Sequence, residues 1–472
     1  MDDLTPVIWW VRRDLRLTDN PALHAACATG RPVVPVYVLD PLDDRMGAAP
    51  KFRLGLGLEA LAATLRSCGS DLVLRRGDPA EVMAELIRET GAHEVFAGRA
   101  YHPDEIARDL RVQDVLKNAD VVIQWRAGRL LFDPYTVKTR AGGFFKVFTP
   151  FWKTVRSDDI APCLPAPLQM RPPQHWPTSD RLQDWYLAAD MCRGARVVSQ
   201  YCQVGEAVAA EKLQQFVDHH ISTYGTDRDL PAQDATSRLS QNLTWGEISP
   251  RQMWHAGQVA MVQGHPGAET FLKQLVWREF AYHLMVHTPH ILSDNWRAGW
   301  DSFPWQEEQS EGFRAWQRGQ TGVDFVDAAM RELYTTGYMH NRLRMITASY
   351  LCKHLMIHWK VGLDWFAECL VDWDPACNAM GWQWVAGSGP DAAPFFRVFN
   401  PERQMDRFDP TQSYVRRWIA EGQSDPPQTS IDFFDAIPKH WKMEPGDIRP
   451  NPLISLENGR KRALEAYKSL PK

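Results

Sequence analysis

Long hydrophobic runs, closely paired cysteines and an excess of basic residues are all missing from this chain of 472 residues. No apolar stretch approaches the ~18 residues that a membrane-spanning helix needs. The eight cysteines contain no C-x-x-C pair, which argues against a disulfide framework or a zinc ribbon and favours reduced thiols in a cytoplasm. The first six residues also lack the basic start and apolar core of a signal peptide. The net charge of -5 argues against nucleic-acid binding by bulk charge, but it permits a local basic groove.

Tryptophan, in contrast, is abundant, with 20 residues in the chain. Each indole needs a large slot and a partner for its N–H group. This abundance favours planar ligands, stacking or redox chemistry, although a tryptophan-rich core would also account for it. Hydrophobic residues at 44% and charged residues at 24% are typical of a globular protein, so disorder and collagen-like repeats are excluded.

Short apolar runs alternate with helical patterns in the first third of the chain. The predicted strands are Val7–Val11, Val33–Leu39, Asp71–Leu74, Glu94–Ala97 and Val121–Trp125. The predicted helices between them are Pro21–Thr29, Leu54–Ser67 and Pro79–Thr90. Strands that alternate with helices predict parallel βαβ units in a doubly wound, Rossmann-like sheet.

Prolines crowd the stretch from Pro162 to Pro177 and predict a connector between domains. Beyond about residue 190 the periodicity is almost entirely helical, for example over Phe325–Tyr334 and Arg342–Trp359. The predicted fold class is therefore α/β followed by all-α. The predicted boundaries are a sheet domain at 1–135, a connector at 136–200 and a helical domain at 201–472.

Two short motifs suggest other functions but lack the residues that those functions need. Residues 55–60 match a G-x-G-x-x-A dinucleotide pattern, yet the polar residues 51–53 precede it where a strand is required. Two histidine pairs have helical i,i+4 spacing, but leucine follows the first histidine of each where a hydrolytic zinc site has glutamate. The pairs are His283 with His287 and His354 with His358. We expect helix packing at the first motif, hydrogen-bonded core histidines at the second, and no metal.

Charged and aromatic side chains are concentrated in residues 274–397. Two groups have the i,i+3,i+4 spacing of one helix face: Gln274, Trp277 and Arg278, and Asn341, Arg344 and Met345. Residues 372–384 add two carboxylates, an asparagine and three indoles. Such clusters are hard to bury unless a ligand satisfies them, and an aromatic heterocycle with a polar tail would do so.

These segments and their order make the sequence similar to the DNA photolyase/cryptochrome flavoprotein family along nearly its whole length. The matching segments are W-V-R-R-D-L-R-L-T-D-N-P-A-L at 10–23, T-S-R-L-S at 236–240, W-R-E-F at 277–280, M-H-N-R-L-R-M at 339–345, G-W-Q-W at 381–384 and F-R-V-F-N-P at 396–401. Within the family they most resemble the bacterial class I enzymes that repair cyclobutane pyrimidine dimers. The resemblance implies an antenna-binding sheet domain and a helical FAD-binding domain.

FAD is the cofactor that the resemblance implies, held in a bent form inside the helical domain. The implied groups around its diphosphate and ribityl chain are Tyr224, Thr236, Ser237, Arg238, Leu239, Ser240 and Arg278. The other implied cofactor-binding residues are Trp277, Asn341, Arg344, Asp372, Asp374 and Asn378. Arg344 and Asp372 would pair beside the ring system. Asn378 would face flavin N5, where an amide oxygen can accept a hydrogen bond from the reduced ring.

UV-damaged DNA is the implied partner. In the family, light excites reduced FAD, an electron passes to a pyrimidine dimer flipped from the duplex, the cyclobutane ring splits and the electron returns. Tryptophans would pack against the flipped bases and arginines would bind phosphates. The implied lesion- and DNA-binding residues are Arg228, Gln274, Trp277, Asn341, Arg342, Met345, Trp384 and Arg397.

Three tryptophans match the electron-transfer chain that reduces oxidised flavin after illumination: Trp382, Trp359 and Trp305. Trp300 lies close to the third position in the sequence. The implied catalytic residues are these three tryptophans together with Asn378, Gln274 and Met345.

Two departures from the family pattern stand out. Gln274 replaces the glutamate that hydrogen-bonds the lesion, so this side chain can donate through its amide but supplies neither a proton nor a negative charge. Asn341 and Met345 occupy the positions of the histidine pair in enzymes for (6-4) photoproducts. Because neither can act as an acid, that substrate is rejected.

The second departure concerns the antenna chromophore. Asp104 and Glu105 stand where folate-binding members have Asn-Glu, and 292–293 is Leu-Ser where those members have Cys-Lys. A folate antenna is thereby weakened, and a deazaflavin, another flavin or none remains open.

Dimer repair in DNA is the expected function, and a cryptochrome-like blue-light receptor is the alternative. Asn378 favours repair, since several receptor lineages differ there. A flavin-binding electron-transfer protein without DNA contact is a third possibility. We further expect a monomer without an obligate protein partner, located in a bacterial cytoplasm.

Overall fold

The computed structural model describes residues 5–306, 310–391 and 396–470. Five parallel strands form one sheet in the order β3-β2-β1-β4-β5. The strands are β1 (Val7–Val11), β2 (Val33–Leu39), β3 (Val73–Arg76), β4 (Glu94–Gly98) and β5 (Val122–Arg126). The helices between or beside them are α1 (Pro21–Ala28), α2 (Pro41–Asp44), α3 (Ala48–Ser67), α4 (Pro79–Thr90) and α5 (Pro103–Asn118).

Side chains of β1 alternate between two cores, one on each face of the sheet. Trp9 packs in a cluster that includes Leu58 of α3, whereas Trp10 packs in a cluster that includes Met83 of α4. The sheet is therefore covered by helices on both faces. This arrangement confirms the predicted doubly wound, Rossmann-like sheet followed by helices.

The proline-rich stretch has no helix or strand from 159 to 181. It is nevertheless fixed against the sheet by backbone hydrogen bonds, from Asp19 N to Leu164 O at 2.8 Å and from Val33 N to Arg171 O at 3.0 Å. Proline lacks an N–H group and interrupts regular structure, so this segment uses its remaining polar groups to bond to the sheet and its flanking loops.

Of the remaining α-helices in the described residues, one precedes the proline-rich stretch and the others follow it from residue 194 onward. They are α6 (Phe148–Val155), α7 (Gly194–Val198), α8 (Glu206–His219), α9 (Tyr224–Asp227), α10 (Ser240–Trp245), α11 (Pro250–Val262), α12 (Ala268–His287), α13 (Glu311–Gln317), α14 (Asp324–Thr336), α15 (Asn341–Ser349), α16 (Trp359–Cys369), α17 (Pro375–Ala386), α18 (Pro401–Phe408), α19 (Ser413–Trp418), α20 (Gln428–Ala436) and α21 (Leu456–Lys468). Short 3-10 turns occupy Leu182–Trp185, Ala189–Met191, Ser199–Tyr201, Pro289–Leu292, Ala298–Ser302 and Lys439–Trp441.

The stretch Arg342–Trp359, whose periodicity is helical, is not one continuous helix in the structure. Helix α15 continues as one turn of π-helix at Tyr350–His354. The helical conformation then ends, and α16 begins at Trp359. Met356 has φ +57 at this break, a backbone conformation that the helical periodicity does not reveal. The break separates the segment around Asn341 from the one that begins at Trp359.

A buried ion pair joins the sheet part to the helical part. Arg53 on α3 donates to the Glu247 carboxylate through both terminal nitrogens, Nη1 at 2.9 Å and Nη2 at 2.6 Å. Its Nε donates to Gln241 Oε1 at 2.9 Å. The polar segment 51–53 is therefore helical, and the glycines at 55 and 57 lie inside α3. Helix packing, and not a dinucleotide loop, explains that motif.

The pair His283 and His287 makes the hydrogen bonds expected of core histidines. His283 Nε2 accepts from Phe145 N at 3.0 Å, and His287 Nε2 lies 2.9 Å from Pro134 O. In the other pair, His358 Nδ1 accepts from Lys360 N at 3.1 Å, whereas the buried His354 Nδ1 has no hydrogen-bond partner among the described residues. No group of three or more His, Cys, Asp or Glu converges within residues 5–306, 310–391 and 396–470. Over the same ranges, no helix has both the length and the apolar character to cross a membrane.

Candidate functional site: a cavity in the helical part

A cavity of about 760 Å³ opens between α9, α10, α12, α15 and α17. Its volume lies within the roughly 300–1,000 Å³ of ordinary ligand pockets. The sequence-predicted residues that line it are Tyr224, Arg228, Ser237, Leu239, Ser240, Gln274, Trp277, Arg278, Asn341, Arg342, Arg344, Met345, Asp372, Asp374, Asn378, Trp384 and Arg397. The structure thus brings all the predicted lesion-binding residues and all the predicted cofactor-binding residues except Thr236 and Arg238 to a single cavity.

Arg344 and Asp372 form an ion pair in the cavity wall, with 2.7 Å between Nη2 and Oδ2. Arg344 Nε also donates to Met339 O at 2.7 Å, which fixes the guanidinium. Burial alone lowers the pKa of Arg344, but the Asp372 carboxylate outweighs it, so the pKa is raised and the charge is kept. Within the described residues, Asp372 Oδ1 is buried and has no hydrogen-bond partner.

Asp374 connects the cavity to the sheet part through a chain of buried polar groups. Its Oδ1 accepts from Cys377 N at 2.9 Å and so caps α17, while its Oδ2 accepts from Tyr282 OH at 2.8 Å. The Tyr282 oxygen accepts in turn from Arg129 Nη2 at 2.8 Å, and Arg129 Nη1 bonds Glu105 Oε2 at 3.1 Å. Burial raises the pKa of Tyr282, so the phenol keeps the proton that it donates.

Asn378 lies one turn into α17, and its side-chain amide is held in one orientation. Its Nδ2 donates to Asp374 O at 2.9 Å. Because the N–H side is used by the helix, the Oδ1 acceptor is left for the cavity. An acceptor here fits the role that the resemblance implies beside a flavin N5–H, and that role stays a prediction.

The segment 236–240 divides between two pockets. Ser237, Leu239 and Ser240 line the cavity, whereas Thr236 and Arg238 line an adjoining pocket of about 290 Å³ that Ser237 shares. The backbone at Arg238 has φ +47, and its guanidinium pairs with Asp234 at 2.8 Å instead of facing the cavity. Direct contact of Thr236 and Arg238 with a ligand in the cavity is therefore not supported.

Two arginines at the cavity wall share one carboxylate. Arg342 Nη2 lies 2.6 Å from Asp229 Oδ2, and Arg228 Nε lies 3.8 Å from Asp229 Oδ1. Arg228 Nη2 also donates to Gln274 Oε1 at 3.0 Å. These contacts fix both guanidinium groups at the wall, where a phosphate or base would meet them.

Two indoles of the cavity are held in place by their neighbours. Trp277 stacks on Phe148 of α6, with 3.7 Å between ring centroids and 5° between planes. Trp384 Nε1 donates to Asp391 O at 3.1 Å, and the Arg397 guanidinium lies 5.6 Å from the Trp384 ring. Because Phe148 covers one face of Trp277, only the other face can receive a planar ligand.

The sequence interpretation missed Phe148. It falls within the predicted connector 136–200, yet the structure has a helix there whose buried residues are Phe148, Phe151, Trp152 and Val155. That spacing of large apolar residues is the signal that could have revealed the helix. The stacking partner on α12 lies more than a hundred residues away and could not be found from the sequence.

The three tryptophans of the expected electron-transfer chain lie outside the cavity lining. The Trp382 ring packs so closely on Gly362 of α16 that a Cβ there has no room, and α16 begins at Trp359. The His358 ring lies 5.3 Å from Trp359 and 4.9 Å from Trp305. Trp305 thus follows Trp359 through one histidine ring.

Trp300 is the sequence neighbour that competes for the third position. Its ring lies 6.3 Å from Trp305, and its other ring contacts are with Phe303, Phe396 and Tyr467. In the contacts among described residues, Trp300 is reached through Trp305. The geometry therefore favours Trp305 as the third member, which stays a prediction.

His340 precedes Asn341 but supplies no acid to the cavity. Burial lowers the pKa of His340 to about 4, so the ring is neutral. Its Nδ1 accepts from Arg342 N at 3.2 Å, which caps α15. Neither Asn341 nor Met345 titrates, in keeping with rejection of the (6-4) substrate.

The candidate antenna residues lie at the start of α5. Glu105, but not Asp104, lines a cleft of about 50 Å³ at the end of the sheet. Burial opposes ionisation of Glu105, but Arg129 and Arg108 outweigh it and hold its pKa at about 2. This volume is below the roughly 300–1,000 Å³ of ordinary ligand pockets.

The cavity residues fit a bent flavin nucleotide. Three buried polar atoms in the described wall, Arg278 Nε, Arg342 Nε and Asp372 Oδ1, lack a hydrogen-bond partner, and a buried unpaired group is costly. Arg278 is positioned to bind a diphosphate oxygen, and hydroxyls of Ser237 and Ser240 lie in the same wall. A ligand that combines an anionic tail with a hydrogen-bonding ring system would satisfy these groups.

Comparison with known proteins agrees with this geometry. Residues 7–172 match the family described as DNA photolyase, and residues 271–469 match the FAD binding domain of DNA photolyase. The deoxyribodipyrimidine photo-lyase of Agrobacterium fabrum is 41% identical over 99% of this chain and 98% of its own length. The matched range 271–469 contains α12, α15 and α17, which carry most of the cavity.

Two solved structures have the same fold. A bacterial class III photolyase from Agrobacterium tumefaciens is 40% identical, with a TM-score of 0.90 over 99% of this chain and 98% of that one. An archaeal photolyase from Sulfolobus tokodaii, described with two FAD molecules, is 28% identical, with a TM-score of 0.81 over 98% and 100%.

The expected class I subtype is not supported, because a relative similar over its full length is a class III enzyme. The family itself is clear from full-length identity and from the order of the two matched regions. This chain belongs to the DNA photolyase/cryptochrome family.

Proposed function

We propose that the protein is a light-dependent deoxyribodipyrimidine photo-lyase that repairs cyclobutane pyrimidine dimers in UV-damaged DNA. The observation that carries this proposal is the shared cavity: all eight residues that match lesion-binding positions line the same space as most of the residues that match FAD-binding positions. Reduced FAD, when bound, supplies the electron that light drives to the lesion. The protein binds, orients and shields the two partners.

Each side chain has a separate task in this proposal. Arg278 binds the diphosphate and Arg344, held by Asp372, places a fixed positive charge beside the ring system. Asn378 offers an acceptor to the ring. Trp277, stacked on Phe148, receives a flipped base on its open face, and stacking is worth ~1–3 kcal/mol per base.

The cavity's arginines explain how a chain of net charge -5 can bind DNA. Arg228, Arg342 and Arg397 line one cavity, so positive charge is concentrated where the damaged strand enters. Phosphate contacts position the duplex, and the cavity selects the lesion.

The proposal is tested with purified, chemically reduced protein, blue light and an oligonucleotide that carries one thymine dimer. Absorbance of intact thymine should reappear in the light and not in the dark. Failure of restoration despite bound FAD would remove the repair function and leave the cryptochrome-like receptor as the better account.

Replacing Arg342 with glutamine should weaken binding of dimer-containing DNA about tenfold, because one phosphate partner loses its charge. The slope of log Kd against log salt concentration should fall by about one, the contribution of one phosphate contact. Glutamine can still bond Asp229, which limits structural damage. Binding is measured by fluorescence anisotropy across a salt series.

The matched control is Arg66→Gln. Arg66 lies on α3 with an exposed guanidinium that pairs only loosely with Asp71, at 3.3 Å. This variant loses the same charge far from the cavity and should keep both affinity and slope. Equal effects of the two substitutions would show that bulk charge, and not the cavity wall, governs binding.

Replacing Phe148 with alanine should weaken lesion binding by about 1 kcal/mol or more, because Trp277 loses the ring that holds its plane. Affinity for undamaged DNA should change little. Phe151→Ala is the control, since Phe151 is buried in the same helix and its ring pairs are with Phe145, Phe280 and His283. An equal loss of lesion preference in both variants would show that the effect comes from destabilisation of α6 and not from the Trp277 contact.

Several finer features belong to the same proposal. We propose the boundaries 1–135, 136–200 and 201–472 for the domains, action as a monomer without an obligate protein partner, and a cytoplasmic location with access to the nucleoid. Likeness to the Agrobacterium enzyme favours the class III subtype. The antenna is still open among folate, deazaflavin, flavin and none, and an absorption spectrum of the purified protein distinguishes them.

A further inference from the structure

We propose that Gln274 makes the lesion pocket accept dimers that contain cytosine as readily as thymine dimers. The inference rests on the proposed repair function and adds a substrate preference to it. Gln274 lies on α12, one turn before Trp277 and Arg278, and all three line the cavity. It is therefore placed to contact the base that Trp277 receives.

The orientation of the Gln274 amide follows from its partner. Arg228 Nη2 lies 3.0 Å from Gln274 Oε1. A guanidinium group has N–H donors and no acceptor, so only the amide oxygen can face it. The Nε2 group is then directed away from Arg228 and is available to donate into the cavity.

Arg228 is itself held in place, which makes a flip of the amide costly. Its Nε lies 3.8 Å from Asp229 Oδ1, and its guanidinium lies 5.4 Å from the Tyr224 ring. Turning the amide would set an N–H group against a fixed cation and break a charge-assisted hydrogen bond. Gln274 thus presents a donor to the lesion.

Whether residue 274 presents a donor or an acceptor decides how it interacts with thymine and with cytosine in the dimer. In a dimer, thymine keeps its N3–H donor and its O2 and O4 acceptors, whereas cytosine has an unprotonated N3 acceptor and an exocyclic amine. A carboxylate can only accept, so it suits thymine N3–H; opposite cytosine it repels the N3 lone pair and can accept only from the exocyclic amine. The Gln274 amide can donate to an acceptor on either base.

The test compares repair of three lesions in the same oligonucleotide: the thymine dimer, the cytosine dimer assayed soon after irradiation, and the uracil dimer into which the cytosine dimer deaminates. The wild-type protein should repair all three at rates within about threefold, since one donor serves them all. In Gln274→Glu, repair of thymine and uracil dimers should persist while repair of the cytosine dimer falls tenfold or more.

A pH series gives a second measurement that a change in folding does not imitate. Protonation restores a donor to the glutamate of Gln274→Glu, so repair of the cytosine dimer by this variant should rise as the pH falls toward the carboxyl pKa. Wild-type selectivity between thymine and cytosine dimers should stay flat over the part of this range in which cytosine N3 is unprotonated, because the Gln274 amide does not titrate.

Two results would overturn the proposal: a wild-type protein that repairs thymine dimers tenfold faster than cytosine dimers, or a variant with the wild-type ratio at every pH. Failure on all three lesions by a protein with bound FAD is a different outcome. It would reject the repair function itself, and the preference with it.

Discussion

Light-driven reduction of the bound, oxidised flavin should slow at least tenfold in Trp382→Phe, a rise of about 1.4 kcal/mol or more in the barrier. Repair by protein that has been reduced chemically beforehand should be nearly unchanged. The physical reason is that phenylalanine fills much of the space of tryptophan but is far harder to oxidise. Flavin absorbance under steady illumination measures the first quantity, and dimer repair measures the second.

The packing around Trp382 makes this separation possible. The side chain is buried, with its ring 4.9 Å from Phe366 and 6.2 Å from Trp316, and it contacts Gly362 one turn after Trp359. It does not line the cavity among the described residues, so its replacement should leave cofactor and lesion contacts in place.

Trp254→Phe is the matched control for this experiment. Trp254 on α11 is as buried as Trp382 but packs in a different cluster, edge-to-face with Phe132. It should photoreduce and repair normally. Loss of both reactions in Trp382→Phe would instead assign that tryptophan to the structure of the site and contradict the proposed path.

Replacement of Arg344 by methionine should destabilise the folded protein by about 3–5 kcal/mol and release its flavin, because the Asp372 carboxylate would be left buried without its cation. That carboxylate has a side-chain exposure of 2%, and one of its oxygens already lacks a partner in the described wall. Chemical unfolding measures the first effect, and flavin absorbance after gel filtration measures the second.

The double variant Arg344→Met with Asp372→Asn is the control, since it removes both charges. It should recover most of the stability but not the flavin, because the fixed charge beside the ring is still absent. Full flavin retention in the single variant would contradict the assignment of Arg344 to the cofactor.

The sheet could be predicted well because buried parallel strands have continuous apolar runs. The bounds of β1 and β2 are those expected from the sequence. Strand β3 begins and ends two residues later than predicted, since its last two residues are charged; Arg75 pairs with Glu89 and Arg76 with Asp44 at the edge of the sheet. Charged side chains conceal an edge strand whose backbone is nevertheless paired.

Helix α3 was predicted to begin at Leu54 but begins at Ala48. Residues 51–53 appear too polar for a buried turn, yet Arg53 is buried because Glu247, far away in sequence, neutralises it. The break at Met356 has the same origin, since tertiary packing there imposes a conformation that the local sequence does not favour. Contacts between distant residues therefore account for most of the differences.

The composition of the cavity could be predicted from motifs, but the orientation of its groups could not. The structure determines which side of each amide is used. Arg228, far away in sequence, orients the Gln274 amide, whereas the Asp374 backbone oxygen, one helical turn away, orients that of Asn378. Only the first orientation depends on a long-range contact.

The chain of groups from Asp374 through Tyr282 and Arg129 to Glu105 limits how this protein can be recombined with its relatives. A chimera whose first 135 residues come from a family member with other side chains at 105 and 129 would break this series of contacts while retaining Tyr282. Unless both positions are grafted back, the phenol would lose the donor that orients it. Antenna engineering by exchange of whole N-terminal halves would then perturb the flavin site, whereas redesign that preserves this pair would not.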